Sequence, residues 1–242
     1  MALMAFRSND FVDEGLFKNR HEKIVIAIDG PAASGKGTLA RNISKRFGFA
    51  HLDTGMLYRG LAHAVLSADK NPENEADVEQ ILKTFLDVLD EKTLSNPVLR
   101  EDTVGVAASQ VAAMPVVRTA LLDYQRNFSK TQPDDIFGVV LDGRDIGTVV
   151  CPKADIKIFV TASADVRAKR RYHELQGRGA KVTYETVLED VKARDARDSN
   201  RAVAPMKPAR DSYKLDTSQL NTSQALGQVI DVIRAQLLEN PA

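Results

Sequence analysis

The run Ile24-Val25-Ile26-Ala27-Ile28 is continuous, apolar and mostly β-branched, and it passes through Asp29 and Gly30 straight into Pro31-Ala32-Ala33-Ser34-Gly35-Lys36-Gly37-Thr38. Such a run bounded by turn residues reads as a central parallel strand covered on both faces. Gly30 and Gly35, with small residues between them, let a loop wrap its backbone N–H groups round a polyphosphate, and Lys36 stands where it reaches the outer phosphates. Leu39, Ile43 and Phe47 then recur every four residues, with Gly48 at a C-cap position. A helix therefore starts at the loop and points the positive end of its dipole at the anion.

The strict phosphate-loop pattern wants Ser or Thr directly after the lysine, whereas Gly37 intervenes here before Thr38. The alternative is a strand-to-helix turn that needs glycine only for its backbone angles. Strand, loop, lysine and helix in the required order favour nucleotide binding over that alternative.

Composition narrows the rest. The 242 residues, 43% of them hydrophobic, suit one α/β core with an insertion rather than two independent domains. The 33 basic and 33 acidic residues cancel, so no global field holds the chain to nucleic acid or an acidic membrane, and any anion site is local. Cys151 is the only cysteine and reads as an inert small hydrophobe, which fits a reducing compartment. Residues 1–22 lack an apolar run long enough for a signal peptide, and about 18 consecutive apolar residues occur nowhere. A cytoplasmic protein with a mobile N-terminal extension is expected.

Further along, Asp53-Thr54-Gly55 opens a second helix with Leu57, Leu61 and Val65 on one face. Arg59 stands near its start, where the dipole repels a guanidinium, so an anionic partner or plain solvation is expected there. A periodic helix follows (Val78, Ile81, Leu82, Phe85, Leu86, Leu89), and residues 91–103 turn ragged, with Asn96-Pro97 as a turn between short extended pieces. Val104, Ala108 and Val111 form one further helical stripe; Val117, Leu121, Tyr124 and Phe128 form another. Phe137 to Leu141 reads as a second buried strand ending in Asp142-Gly143-Arg144-Asp145, and Ile156 to Val160 as a third. In open α/β sheets, loops at such strand ends bind ligands: Asp142 suits orientation of Mg²⁺ through water, and Arg144 suits a phosphate. Asp-Gly is equally an ordinary turn signal.

Past Ser163 a helix carries Arg167, Lys169, Arg170 and Arg171 into Gln176-Gly177-Arg178-Gly179, which reads as a mobile arm bearing cations or a solvated basic face. In the next helix Val187 and Val191 continue on the same stripe as Arg194, Asp198 and Arg201. An apolar stripe that turns charged without changing face is leaving the core for a polar cavity, unless it is a helix end rich in exposed ion pairs. Lys214 to Thr217 reads as a last strand, and Leu226, Ile230, Ile233 and Leu237 as a closing helix.

The segments GPAASGKGT, LDTGMLYRG, ASQVAAMPVVR, DGRDIGTVV and RDARDSNRAVAP occur in that order, and over residues from about 24 to the last helix the chain resembles bacterial-type cytidylate kinases. The resemblance implies an α/β fold of the P-loop NTPase type: a five-stranded parallel sheet flanked by helices, a lid, and a monophosphate-binding insertion enlarged by a small sheet. It implies a single kinase domain over 23–240, with core 23–73 and 119–240, insertion 74–118 and lid about 167–181. Gly30, Pro31, Ala32, Ala33, Ser34, Gly35, Lys36, Gly37 and Thr38 would hold ATP. Thr54, Arg59, Arg144 and Arg201 would lie at the acceptor phosphate; Ser109, Arg118 and Asp145 would read the cytosine edge; Arg194 and Asp198 would hold the sugar. Lys36, Arg144 and the lid arginines Arg167, Arg170 and Arg171 are the implied catalytic cations. Since position 37 has no hydroxyl, Mg²⁺ is expected on phosphates and water with Asp142 behind it and no direct protein ligand.

The expected reaction is transfer of the γ-phosphoryl group of MgATP to CMP or dCMP by a monomer. A nucleoside monophosphate loses its second proton near pH 6, so no general base is required, and His21, His51, His63 and His173 are given no catalytic role. Rival readings are another small-molecule kinase of this fold, for UMP, AMP or shikimate, and a nucleotide-dependent switch. The absence of any Asn-Lys dipeptide removes the guanine-reading signature of GTPase switches.

Overall fold

The computed structural model describes residues 22–239, so the expected N-terminal extension lies outside the described residues apart from Glu22. Five strands, β1 (Ile24–Asp29), β2 (Ala50–Asp53), β3 (Gly138–Gly143), β4 (Ile156–Thr161) and β5 (Tyr213–Asp216), form one sheet in the order β2-β3-β1-β4-β5. All four pairings are parallel, with Ile24 opposite Gly138 and Ile26 opposite Ile156. Parallel strands need crossovers, and these are helical: α1 (Lys36–Phe47), α2 (Thr54–Ser67), α7 (Ala164–Gly177) and α8 (Tyr184–Asn200) among them. Every strand therefore ends along the same edge of the sheet.

The side-chain period of two sorts β1 between two cores. Ile24, Ile26 and Ile28 pack with Leu39 and Ile43 of α1 and with Val229, Ile233 and Leu237 of α9 (Thr222–Glu239). On the other face Ala27 joins Leu52, Val139, Leu141, Ile146 and Val150. A strand buried on both faces has no polar register to slip into, which pins the loop that follows it.

Helices α3 (Glu75–Asp87), α4 (Glu91–Leu94), α5 (Asp102–Val111) and α6 (Pro115–Asn127) pack round α2, with Leu61, Val65, Val78, Phe85, Leu99, Val104 and Leu121 in one cluster. Residues 74–118 thus share a core with α2 and α6 instead of having their own. Residues 91–103 depart from expectation. In place of extended pieces and a small sheet they form α4, a 3₁₀ turn Pro97–Arg100 and the start of α5, and all strands among the described residues belong to the one sheet. Asn96 explains part of this: its side chain accepts the Val98 N–H at 3.1 Å and caps the 3₁₀ turn, with Pro97 at its first position.

Among the described residues no single helix is long and apolar enough to cross a membrane. Helices α5 and α6 together pass on length and composition, but they meet at 100° and their apolar faces lie in the core shared with α2.

Candidate active site

The loop after β1 is built around two glycines. At Gly30 φ is +150°, and a Cβ there would sit 2.0 Å from the Val160 carbonyl oxygen of β4, so only glycine lets the chain pass this close. Gly35, at φ 93°, is the left-handed residue from which α1 starts at Lys36. Between them Ala33 is also left-handed (φ 58°), and Ser34 is fully buried with no hydrogen-bond partner for its Oγ. The loop leaves the first N–H groups of α1 without partners of its own, at the positive end of a helix dipole.

Lys36 projects from this helix start among Asp142, Asp53, Arg144 and Arg194. Burial and the nearby Arg144 charge outweigh the two carboxylates and pull its pKa down to about 8. Asp53 and Asp142 are register partners at the ends of β2 and β3. Burial, and then the charge of Asp142, raise the Asp53 pKa. Asp142 Oδ2 is engaged by His51 Nε2 at 2.7 Å, and its Oδ1 lies 3.9 Å from where a Cβ on Gly37 would stand, facing the start of α1. His51, given no role by sequence reasoning, thus orients a site carboxylate; its partner lies 91 residues away, and no local pattern signals the pairing.

Beyond Asp142 the strand end turns into a dense ionic network. Arg144 donates from Nε to Asp198 Oδ2 at 2.8 Å and from Nη1 to Gly143 O at 3.3 Å. Burial works against its charge, but Asp198, Asp142 and Asp53 together raise its pKa. On the same stripe of α8, Arg194 has a buried Nε without a partner, and burial together with Arg144 lowers its pKa to about 10. Asp145 is gripped from two sides, by Arg118 Nη2 and by Arg201 Nη2 at 3.4 Å, all three being buried. The Arg118 guanidinium lies 5.6 Å from the centre of the Tyr58 ring. Ser109, on α5, accepts a hydrogen bond from Arg197 at 2.8 Å.

Two expected acceptor-site residues are differently engaged. Thr54 Oγ1 donates its only proton to Asp142 O at 2.8 Å, which leaves lone pairs, not a donor, for any ligand. Arg59 finds carbonyl partners, Leu99 O at 2.6 Å and Glu101 O at 3.2 Å, and stacks over Gly105. The partial negative charge at the end of the 3₁₀ turn offsets the guanidinium charge near the start of α2.

The lid arginines are separated. Arg167 is buried in the first turn of α7 and forms a two-pronged pair with Asp195 of α8, at 2.9 and 2.5 Å. Arg170 reaches the phosphate-loop side, bonding Thr217 Oγ1 at 3.0 Å, Thr217 O at 2.7 Å and Ser34 O at 3.4 Å. Arg171 turns the other way, to Asp102 at the start of α5 and to Glu174 at 2.8 Å. Ser34, Thr38, Val160, Arg170, Thr217 and Ala225 line a cavity of about 290 Å³ beside the loop.

Asp29, at the end of β1, went unnoticed in the sequence. Its carboxylate accepts the Ile146 N–H at 2.7 Å and the Gly147 N–H at 2.8 Å, clamping the phosphate-loop strand to the turn after Asp145. Burial outweighs these two bonds and raises its pKa to about 6. Cys151 is free, and burial pushes its thiol up to about 11, which leaves it unreactive. Among the described residues no three His, Cys, Asp or Glu side chains gather as a metal cage. The Asp53–Asp142 pair beside Lys36 does suit Mg²⁺, which needs only one or two carboxylates when phosphates and water supply the rest.

Comparison with known proteins matches residues 26–235 to the family described as cytidylate kinase. A cytidylate kinase of Rhodospirillum rubrum is 52% identical over 210 residues, covering 87% of this chain and 97% of its own length. One of Xanthobacter autotrophicus is 52% identical over 213 residues, covering 88% and 98%, and one of Rhizobium meliloti is 49% identical over 215, covering 89% and 98%.

Proposed function

The chain belongs to the cytidylate kinase family, and on that premise we propose that it transfers the γ-phosphoryl group of MgATP to CMP or dCMP, acting as a cytoplasmic monomer without nucleic acid or membrane. The observation that carries this reading is the unbroken run of charged groups from the phosphate loop to Asp145. The charge of Arg144 reaches Lys36 at one end, and its side chain is hydrogen-bonded to Asp198 at the other, which supports a site where donor and acceptor phosphates would meet at one guanidinium.

In this reading the loop 30–38 and the dipole of α1 hold the donor triphosphate, with Lys36 on its outer phosphates. The cavity beside Arg170 receives the donor nucleoside. Arg59, Arg144 and Arg201 take the acceptor phosphate, and Arg194 and Asp198 the sugar. Ser109, Arg118 and Asp145 read the base, Asp145 as an acceptor for the exocyclic amine. Asp53 and Asp142 would hold Mg²⁺ with phosphates and water, and the ion would supply charge neutralisation at the donor phosphates. Residues 74–118 act as the monophosphate-binding insertion and 167–181 as the lid.

Catalysis then needs no proton acceptor, because the attacking oxygen is already mostly ionised at neutral pH. The chain contributes alignment and fixed positive charge where charge develops. Lid closure by α7 excludes water and so suppresses hydrolysis of ATP. The test is ADP release from MgATP with CMP, dCMP, UMP, AMP, GMP, dTMP and shikimate offered in turn. Strong turnover with CMP and dCMP alone is expected. Turnover confined to another acceptor overturns the base-reading roles, and none at all in folded, ATP-binding protein favours a nucleotide-dependent switch.

A further inference from the structure

We propose that Arg197, donating from α8 to the buried hydroxyl of Ser109 on α5, is a positioning residue that biases Ser109 toward donating its proton and so favours cytosine over uracil. The inference rests on the acceptor assigned above and goes beyond it, since Arg197 itself touches neither base nor phosphate in that reading.

The argument is one of polarity. A serine hydroxyl carries one proton and two lone pairs, and by rotating it serves either as donor or as acceptor. A guanidinium has five N–H groups and no lone pair to offer. With Arg197 Nη1 at 2.8 Å from Ser109 Oγ, the oxygen can only accept along that line, and its own proton points elsewhere. Among the described residues this is the only hydrogen bond the Ser109 hydroxyl makes, although a helical serine commonly spends its proton on the carbonyl one turn back. The proton therefore remains free for a ligand. Ser109 is only 5% exposed, so an unmet polar group there is costly.

Asp145 has the opposite polarity. Paired with Arg118 and Arg201, its carboxylate accepts from both guanidiniums. A fixed donor and a fixed acceptor match the edge of cytosine, which offers a ring-nitrogen acceptor next to an amine donor. Uracil reverses both, offering a ring N–H and a carbonyl. To accept from the uracil N–H, Ser109 would have to turn its second lone pair to the base and its proton to the third direction, where among the described residues its hydroxyl has no hydrogen-bonded acceptor. Arg197, by occupying one lone pair, makes that orientation the costlier one.

The test measures kcat/KM for CMP and UMP with saturating MgATP in the full chain, in Arg197→Met, in Arg197→Lys and in Ser109→Ala. Arg197→Met should narrow the CMP-to-UMP ratio by about tenfold, the weight of one buried hydrogen bond, acting on KM more than on kcat. Arg197→Lys also only donates, and it should restore most of the ratio. An equal loss for both substrates, or an unchanged ratio, reduces Arg197 to a structural tie between α5 and α8 and overturns the proposal. Arg197 is exposed, so folding should survive; should the methionine variant melt early, Arg197→Gln, which donates or accepts, must still narrow the ratio. Ser109→Ala separates the two levels. If it narrows the ratio while Arg197→Met does not, only the present inference fails; if it leaves the ratio unchanged, the base-reading role of Ser109 fails with it.

Discussion

Replacing Lys36 by methionine should abolish phosphoryl transfer and yet make the ligand-free protein more stable. Lys36 is held charged in a place that resists its charge: burial and Arg144 bring its pKa from 10.5 to about 8. At 1.36 kcal/mol per pKa unit that is about 3 kcal/mol, an upper figure because the side chain is only half-buried. Part of the gain is offset, since Asp53 and Asp142 lose a neighbouring cation, so a net stabilisation of about 1–2 kcal/mol is expected, or a rise in Tm of roughly 2–8 °C for a chain of this size. The sign with pH is fixed by linkage. A lysine with a depressed folded pKa costs most below that pKa, so the advantage of the variant should be complete below pH 8 and shrink as pH rises from about 8 to 10.5. The assay is thermal unfolding of both proteins from pH 7 to 10, with and without MgATP. A variant that melts lower than the parent at pH 7, or an advantage indifferent to pH, refutes the electrostatic account; wild-type turnover in the variant refutes the assignment of the loop.

Gly30→Ala should cost several kcal/mol and eliminate ATP binding, because its Cβ would meet the Val160 carbonyl at 2.0 Å; calorimetric titration with normal ATP affinity would contradict this. Asp145→Ala leaves Arg118 and Arg201 buried without their carboxylate, so a loss of about 3 kcal/mol in urea unfolding is expected together with near-equal use of CMP and UMP. The raised pKa of Asp29 means that its stabilising contribution is complete below about pH 4 and lost as pH rises through about 6, an effect of about 3 kcal/mol. Denaturant midpoints of Asp29→Asn should therefore decline less between pH 4 and 7 than those of the parent, and parallel slopes would count against it.

What could be read in advance followed the strength of the local signal. The strands at Ile24, Val139 and Ile156 are apolar runs buried on both faces, and α1 carries a clean four-residue stripe, so pattern and outcome agree there. In α9 Ile233 and Leu237 are buried as expected, but Ala225 and Val229 take the core positions expected of Leu226 and Ile230, which are half-buried. Residues 91–103 misled because short helical turns capped by Asn96 carry the same Asn, Pro and Ser composition as a loop between strands. The two carbonyls that hold Arg59 could not be read in advance, since a side-chain inventory cannot foresee where a turn will leave its backbone oxygens. The pairings of His51, Asp29 and Arg197 went unread for a common reason: each acts on partners 88 to 118 residues away, and only the fold brings them together.

The engaged state of the lid arginines has a bearing on turnover. Arg167 is held by Asp195, Arg170 by Thr217 and Ser34, and Arg171 by Asp102 and Glu174. On the proposed function, each of them would enter an anion complex by leaving a partner, so its contribution would be the difference between two good contacts. Counting guanidiniums therefore overstates how tightly nucleotides are held. The same exchange runs in reverse after the phosphoryl group has moved, when the displaced carboxylates and carbonyls reclaim their arginines and compete with the product for them. An enzyme whose cations were waiting unpaired would bind more tightly and release more slowly; on the proposed function this chain would trade some of that affinity for a path by which the product leaves.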